Sequence, residues 1–339
     1  MDTSICILNR DQRELLKECL DSCYREFKES NISGEVIVVD NGSSDGSPAM
    51  VRSLFPEARL ISNSGNAGFS TANNQAIRVA RGRYVLVLNN DTVLLPGCLR
   101  VLLAFMDAHP EVGAAGPKLL NRDGSTQLGY HRRLPTIADT CVALFWIPHI
   151  WPGNPVTRHA IMMDEVTDPA TASMAIEQVG GCAMFLRREA MESVGLFDEA
   201  FYRWFEDVDL CERLRTAGWS MVYVPGAQIV HYGGAYFQRM EFSERAEMQV
   251  AALLRYFRKH RGRGSYNLVK SVTLIALTIR LAFVTALAFG PVRHLRHRWR
   301  GVPLRYLRTI KCLLLGDFPE AAKPRPGARD SETAENRFF

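Results

Sequence analysis

The sequence lacks several patterns that would place it in a common protein class. Its eight cysteines are scattered and form no CxxC pair, so neither a zinc site nor a thioredoxin-like motif is indicated. The first ten residues, MDTSICILNR, contain no basic segment followed by an apolar run, and we therefore expect no signal peptide. No internal repeat is evident. These absences favour a cytoplasmic enzyme with buried, reduced thiols.

Acidic residues are missing from one long stretch of the chain. Residues 255–316 contain 14 Lys and Arg and no Asp or Glu, whereas the remainder contains 27 basic and 36 acidic residues. The net charge of +5 therefore conceals an uneven distribution, in which an acidic body is followed by a basic region. This uneven charge argues against a uniformly basic nucleic-acid-binding protein, and we expect no nucleic-acid partner. The 339 residues suffice for one large domain with appendages, or for two domains.

The first 120 residues alternate short apolar runs with helical patterns. The apolar runs are SICILN, EVIVVD, ARLISN, YVLVLNND and VGAAGPKLL, and helices are predicted over 12–29, 47–54, 71–80 and 96–109. This alternation predicts an α/β fold with a mostly parallel sheet that helices cover on both faces. Ligands of such sheets bind outside the carboxyl ends of the strands.

The rest of the chain predicts further elements and two additional regions. Residues 121–175 are irregular and proline-rich, and we expect them to cover the binding edge. A strand and helix follow in EQVGGCAMFLRREAMESVG, then a helix in EDVDLCERLRTAG, the strands MVYVP and AQIVHY, and a helix over 241–261. We expect a catalytic domain over 1–240, a helical, basic and apolar region over 241–318, and a disordered tail over 319–339.

Polar side chains stand at the ends of several predicted strands. Asn9 ends the first strand, Asp40 ends the second, and Asn89, Asn90 and Asp91 end YVLVLNND. A carboxylate such as Asp40 can accept a hydrogen bond from a base or a ribose, or it can start an Asx turn. One carboxylate beside amide oxygens suits a divalent ion that keeps water and phosphate ligands. An ordinary turn is the alternative.

Two further clusters lie at predicted helix starts. The segment NSGNAGFSTANN places Asn66, Gly68 and Asn73 where a helix N-terminus could bind phosphate, and a capped loop is the alternative. In WFEDVDLCERL, Glu206 and Asp207 begin a helix. The helix dipole favours acids there, and a carboxylate in a partly dry wall could also act as a general base.

A lone histidine completes the set of candidate residues. His231 follows the apolar strand AQIV; such a histidine is usually structural, yet at a strand end it could complete a metal shell. Each cluster alone has an ordinary structural explanation. Because one sheet can bring all of these ends to a single edge, the set together predicts a metal and phosphate site there.

The ordered set of segments resembles a known family. VVDNGSSDGS, NAGFSTANN, VLVLNNDT, VGGCAMFLRR, WFEDVDLCERLRTAGW and VPGAQIVHYGG together resemble the inverting GT-A glycosyltransferases of the large bacterial family that includes rhamnosyltransferases. The resemblance covers about residues 3–235. It implies a GT-A fold and transfer of a sugar, with L-rhamnose from dTDP-rhamnose favoured, from a nucleotide-sugar to a saccharide or polyprenyl-linked acceptor in cell-surface polysaccharide synthesis. The QxxRW motif of processive synthases is absent, so we expect one sugar per encounter.

The resemblance also implies roles for individual residues. Asp207 corresponds to the catalytic base, and Asp91 and His231 correspond to ligands of Mn²⁺ or Mg²⁺. Asn89 replaces the first acid of the family's DxD motif, which leaves one fewer charge at the metal. Donor contacts are expected from Asn9, Asp40, Asn66, Gly68, Asn73, Asn90 and Asp91, and contacts to the acceptor or the transferred sugar from Gly181, Trp204 and Glu206.

Two alternative functions come from other classes. A sugar nucleotidyltransferase would be expected to carry a Gly-rich basic loop close to GxGxR near the N-terminus, and CILNRDQRE has none. A non-catalytic nucleotide-sugar-binding protein has no need for the Glu206–Asp207 pair beside a metal cleft.

The basic region predicts a membrane partner. Ser271–Gly290 is 20 residues long, enough to span a bilayer, but Arg280 at its middle costs roughly 2.5–3.5 kcal/mol. Basic clusters flank both sides, so a single span would oppose the positive-inside tendency. We therefore expect residues 266–315 to lie on, or re-enter, the anionic inner face of the cell membrane, as in a peripheral or monotopic cytoplasmic protein. The alternative is a buried helix pair on the catalytic domain.

Overall fold

The computed structural model describes residues 1–168, 172–233, 242–289 and 301–316. The chain divides into two compact units. The sheet unit comprises the described residues within 1–134, 158–202 and 206–235, and the helical unit comprises 135–157, 203–205 and the described residues after 235. The predicted domain boundary at residue 240 lies outside the described residues, and residues 135–157 of the predicted irregular region belong to the helical unit. The tail predicted over 319–339 lies outside the described residues.

The strands of the sheet unit form one mixed sheet. They are β1 (Thr3–Asn9), β2 (Gly34–Asp40), β3 (Arg59–Ser62), β4 (Tyr84–Asn89), β5 (Thr92–Leu94), β6 (Val112–Leu120), β7 (Met174–Ile176), β8 (Ala183–Arg187) and β9 (Ser220–His231). Their order is β3-β2-β1-β4-β8-β6-β9-β5, with β7 also beside β9. Strands β1 to β4 pair in parallel, whereas β8 runs antiparallel to both β4 and β6. The predicted α/β class is confirmed, and antiparallel pairs enter in the second half of the sheet.

The segments MVYVP and AQIVHY, predicted as two strands, form the single strand β9. The register between β6 and β9 shifts beside Pro225 of β9. Pro117 of β6 pairs with Val224, whereas the next residue, Lys118, pairs with Gln228. Such an irregularity tolerates a residue that has no N–H to donate. The strand therefore continues to His231, which lies opposite Thr92 in β5.

The helices of the described chain cover the sheet and build the second unit. They are α1 (Arg13–Glu29), α2 (Ser47–Leu54), α3 (Phe69–Val79), α4 (Cys98–Ala108), α5 (Ile137–Leu144), α6 (Ile147–Ile150), α7 (Pro155–Ala160), α8 (Met163–Thr167), α9 (Arg188–Val194), α10 (Glu206–Thr216), α11 (Phe242–His260), α12 (Gly262–Phe289) and α13 (Val302–Leu315). Helix α1 presents Leu16 and Leu20, one turn apart, to the apolar core. All eight cysteines are free, and six are buried.

The helical unit is built around α12. This helix packs against α5, α11 and α13. A buried carboxylate, Glu247 of α11, forms an ion pair with Arg308 of α13, and its Oε1 lies 2.8 Å from the arginine Nε. Among the described residues, α12 is the helix that is long and apolar enough to cross a membrane.

Candidate active site

Three predicted donor-binding residues meet at the carboxyl ends of β1, β2 and β4. The parallel register sets Asn9 opposite Asp40. Asn9 Nδ2 donates to Asp40 Oδ1 at 3.0 Å, and Asn90 Nδ2 donates to Asn9 Oδ1 at 2.7 Å. The Ser43 N–H and hydroxyl donate to Asp40 at 2.9 and 2.6 Å. The structure thus brings the three residues together, and it also forms the turn that was the alternative for Asp40.

A glycine loop precedes α3. Asn66 Oδ1 accepts hydrogen bonds from Gly68 N and Asn41 Nδ2, both at 3.1 Å. Gly68 has a φ of 86°, and a Cβ there would lie 2.6 Å from the ring of Tyr202. Glycine is therefore required both by the backbone conformation and by the close approach of Tyr202. The start of α3 is held by Phe69 N, which donates to Tyr202 O at 2.9 Å.

The asparagines within α3 are engaged inside the protein. Asn73 is buried, and its amide donates to Phe69 O at 3.0 Å, one turn earlier in the helix. Asn74 is also buried and exchanges hydrogen bonds with the backbone of Phe197. The high density of asparagine in this helix is therefore explained by packing, and the donor contact predicted for Asn73 has no separate support from the geometry.

The two predicted metal ligands lie next to each other. His231 Nε2 is 3.3 Å from Asp91 Oδ1, and Tyr232 N donates to Asp91 O at 2.9 Å. The other ring nitrogen, Nδ1, is 2.8 Å from Gln127 Oε1, and the ring of Tyr130 meets the imidazole edge to face at 5.1 Å. Gln127 was not anticipated from the sequence, because no local pattern connects it with a residue 104 positions away.

The donor set of this pair fits a divalent cation. Since a carbonyl oxygen accepts, Gln127 fixes the proton on Nδ1 and directs the Nε2 lone pair at the Asp91 carboxylate. Two facing acceptors need a cation or a proton between them. Within the described residues no group of three or more His, Cys, Asp or Glu could hold a metal, so most ligands of such an ion would come from phosphate oxygens and water.

Asp207 lies at the first turn of α10 and faces the loop before β8. Its Oδ2 accepts from Gly181 N at 2.9 Å and from Gln178 Nε2 at 3.3 Å, and its Oδ1 accepts from Val208 N at 2.8 Å. Burial raises the pKa of this carboxyl, and these backbone hydrogen bonds and the charge of Arg132 oppose the rise. A partly exposed carboxyl with a raised pKa is suited to accept a proton.

The neighbouring acids of α10 differ from Asp207 in their surroundings. Asp209 is fully buried and is bound by Arg213 Nε at 2.9 Å. That arginine also donates to the carbonyl oxygens of Val194, Gly195 and Leu196. Asp209 is thus part of the internal framework. Glu206, predicted to line the acceptor or sugar pocket, is 6% exposed and begins the helix.

Strand pairing brings Asp91 and Asp207 to the same edge of the sheet. Leu88 of β4 pairs with Ala183 of β8, and Asn89 N donates to Cys182 O at 2.9 Å. The loop that binds Asp207 therefore lies beside the end of β4. The buried Cys182 thiol lies near both acids. Its pKa is raised mainly by burial, and the charges of Asp91 and Asp207 raise it further.

Trp204 is the predicted site residue that belongs to the helical unit. Trp204 and Phe205 both have a φ of 65°, an unusual conformation for bulky residues that marks local strain. The ring of Phe205 lies 5.6 Å from that of Tyr256 in α11. The structure assigns Gly181 and Glu206 to the sheet unit.

Comparison with known proteins identifies the family. The family described as glycosyl transferase family 2 matches residues 4–189. The N-acetylglucosaminyl-diphospho-decaprenol L-rhamnosyltransferase of Mycobacterium tuberculosis is 33% identical over 208 residues, which is 58% of this chain and 66% of the relative. An O-antigen biosynthesis protein of Myxococcus xanthus is 29% identical over 237 residues, covering 68% of this chain and 17% of that protein. The match thus spans just under two thirds of the rhamnosyltransferase and a small part of the other relative.

A solved structure supports the fold. A mannosyltransferase from Pyrobaculum calidifontis, solved in complex with GDP-Man and Mn²⁺, superimposes with a TM-score of 0.51 at 17% identity, covering 93% of this chain and 87% of that one. The predicted GT-A architecture is therefore confirmed. With the family match over more than half of its length, the chain belongs to glycosyl transferase family 2.

Proposed function

We propose that the protein transfers L-rhamnose from dTDP-rhamnose, with inversion, to the sugar of a polyprenyl-diphosphate-linked saccharide in cell-surface polysaccharide synthesis. The observation that carries this proposal is the 33% identity with a rhamnosyltransferase whose name specifies such an acceptor. The geometry of the sheet edge is in keeping with it, since a half-buried carboxylate at the start of α10 and a pair of metal-type ligands at strand ends lie at the same edge.

Asp207 is the base in this proposal. In a single displacement with inversion, the acceptor hydroxyl attacks the anomeric carbon from the face opposite the leaving diphosphate, and a carboxylate on that face takes the hydroxyl proton. Gly181 N and Gln178 Nε2 hold one carboxylate oxygen in place. The raised pKa makes Asp207 a better proton acceptor than an ordinary aspartate.

Asp91 and His231 would hold the divalent ion, Mn²⁺ or Mg²⁺, against the donor diphosphate. Bound there, the ion would supply Lewis-acid neutralisation of the leaving group. Gln127 keeps the imidazole in the tautomer that presents a lone pair, and Asn9, Asp40, Asn66, Gly68 and Asn90 form the polar floor proposed for the nucleotide.

The helical unit is proposed to bind the anionic inner surface of the cell membrane. Its apolar side chains are unusually exposed: Ile150 is 79% exposed, Trp151 58% and Leu304 72%. Ile275, Ile279 and Phe283, each more than half exposed, recur one turn apart on α12. Exposed apolar side chains with many basic and no acidic residues over 255–316 favour an interfacial location.

Arg280 does not oppose this location. Its Nη2 donates to the carbonyl oxygens of Ala143 and Leu144 at the end of α5. The guanidinium also lies 4.4 Å from the ring centre of Trp146, a cation–π distance. The charge at the middle of the apolar helix is therefore turned into the unit, and Ile279 and Phe283 occupy the outer face.

A donor panel tests the proposed function. Purified full-length protein is incubated with Mn²⁺, a prenyl-diphospho-N-acetylglucosamine and, in separate reactions, dTDP-rhamnose, UDP-glucose and GDP-mannose. The proposal predicts saccharide product and released dTDP in the dTDP-rhamnose reaction, with an anomeric configuration opposite to that of the donor. Transfer from a different donor alone, or retention of configuration, would contradict it.

A further inference from the structure

One arginine beside Asp207 has no ion-pair partner among the described residues. Arg132 lies in the sheet unit, where its backbone pairs with that of Gln178: Arg132 N donates to Gln178 O at 3.2 Å, and Gln178 N donates to Arg132 O at 2.9 Å. Glu177 Oε2 accepts from Leu134 N at 2.8 Å. The segment that carries Arg132 is thus fixed against the residues that precede the Gly181 loop.

Arg132 and Gln178 both have unused hydrogen-bonding atoms. In the part of the chain that the structure describes, the buried Nε of Arg132 and the buried Oε1 of Gln178 make no hydrogen bond. Gln178 Nε2 donates to Asp207 Oδ2 at 3.3 Å, and the Arg132 charge lowers the pKa of the same carboxyl. A buried donor and a buried acceptor without partners are costly unless a ligand uses them. Gln178 contacts the proposed base directly, and Arg132 is paired with the backbone of Gln178.

The position of these atoms points to the acceptor side of the site. In an inverting displacement the base and the leaving diphosphate lie on opposite faces of the transferred sugar. A cation beside the base therefore lies on the acceptor's side, away from the diphosphate held by Asp91. An arginine fork binds phosphate oxygens in two-point geometry, and an unpaired arginine is notable in a body where acids outnumber bases.

We propose that Arg132 binds a phosphate of the lipid-linked acceptor and that Gln178 Oε1 accepts a hydrogen bond from a hydroxyl of the acceptor sugar. This inference rests on the proposed function and deepens it, because it assigns residues that recognise the diphosphate-linked class of acceptor. Neutral glycosides of the same sugar lack the group that Arg132 would bind.

The chain offers a matched control at the next position. Arg133 also has a buried Nε without a hydrogen bond, but its guanidinium lies 3.7 Å from Glu165. Arg133→Gln thus removes a similar side chain whose charge faces an acid rather than Asp207. Thermal melting of both variants shows whether the fold is kept.

The test compares Arg132→Gln with Arg133→Gln in full-length protein, using a prenyl-diphospho-N-acetylglucosamine and the octyl glycoside of N-acetylglucosamine. For Arg132→Gln we expect KM for the diphosphate acceptor to rise roughly 10- to 100-fold, the range of a lost charge-assisted hydrogen bond. KM for the octyl glycoside and the dissociation constant of dTDP-rhamnose should not change. Arg132→Lys should recover part of the loss, because it keeps the charge but not the fork.

Three outcomes would overturn the inference. Equal increases in KM for both acceptors would make Arg132 a positioning residue for Gln178 and Asp207. Weaker binding of dTDP-rhamnose would place Arg132 on the donor diphosphate. Equal increases in KM for the diphosphate acceptor in Arg132→Gln and Arg133→Gln would show that the effect is not specific to Arg132. Calorimetric binding of the diphosphate acceptor, measured without donor, separates this inference from the proposed function: wild-type protein that binds the acceptor through Arg132 but transfers no rhamnose contradicts only the latter.

Discussion

The two units of the chain use apolar side chains in opposite ways. In the sheet unit, strand residues such as Val38 and Leu86 are fully buried, and polar side chains collect at the strand ends. In the helical unit, Ile279 and Phe283 are more than half exposed, whereas Arg280 of the same helix is directed at backbone carbonyls.

This difference shows that an apolar run in the sequence does not by itself predict whether its side chains are buried. The run in β4 is buried because both faces of its sheet are covered. The run in α12 is partly exposed because a helix can bury one face against its neighbours and leave the other apolar face for a membrane surface. The sheet unit thus collects polar side chains at one edge, whereas the helical unit exposes an apolar face that we propose meets a lipid surface.

The largest effect is expected from removing Asp91, the proposed metal ligand at the sheet edge. Asp91→Ala should abolish detectable transfer and end the Mn²⁺ dependence of dTDP binding, because His231 alone is left facing the diphosphate. Asp123→Ala, which removes an exposed acid of the same unit, should keep both properties. Product formation and calorimetric titration measure them. Full activity of the wild-type enzyme in excess chelator would argue against a metal role for this pair.

A second prediction concerns the buried ion pair between Asp209 and Arg213 in α10. Arg213→Ala leaves the fully buried Asp209 without its cation, which should lower the free energy of unfolding by about 3–5 kcal/mol. Urea denaturation measures this change. Lys17→Ala breaks an exposed pair with Asp21 and should cost less than about 1 kcal/mol. Similar costs for the two variants would mean that Asp209 is not a structural acid.

A smaller effect is expected at the apolar face of the helical unit. Replacing Ile279 and Phe283 together by Ser should weaken binding to anionic vesicles by roughly tenfold or more, since each side chain loses about 1 kcal/mol or more of apolar burial. Leu54→Ser, at a position of similar exposure in the sheet unit, is the control. Vesicle sedimentation at low and high salt provides the measurement. Unchanged sedimentation of the double variant would show that this face does not meet the membrane.

The sequence predicts the sheet edge better than it predicts the helical unit. Asn9, Asp40 and Asn90 come together as expected, because parallel register places strand ends side by side. The family assignment is also confirmed. The individual roles predicted for the site residues remain proposals.

The rest of the structure depends on contacts between distant residues. Nothing local in residues 135–157 indicates that they belong with α12, or that the end of α5 accepts hydrogen bonds from Arg280. Gln127 lies 104 positions from His231 and carries no motif. The predicted break at Gly226, between the strands MVYVP and AQIVHY, is also wrong, because β9 continues through this position with a shift in its register against β6.

The proposed role of Asp207 as the base is tested by the single-turnover transfer rate of Asp207→Asn at saturating donor and acceptor. An amide cannot accept the proton, so we expect the rate to fall about 10²–10⁴-fold, with dTDP-rhamnose binding and the melting temperature close to those of the wild type. An Asp207→Asn protein that transfers rhamnose within a few-fold of the wild-type rate would contradict it.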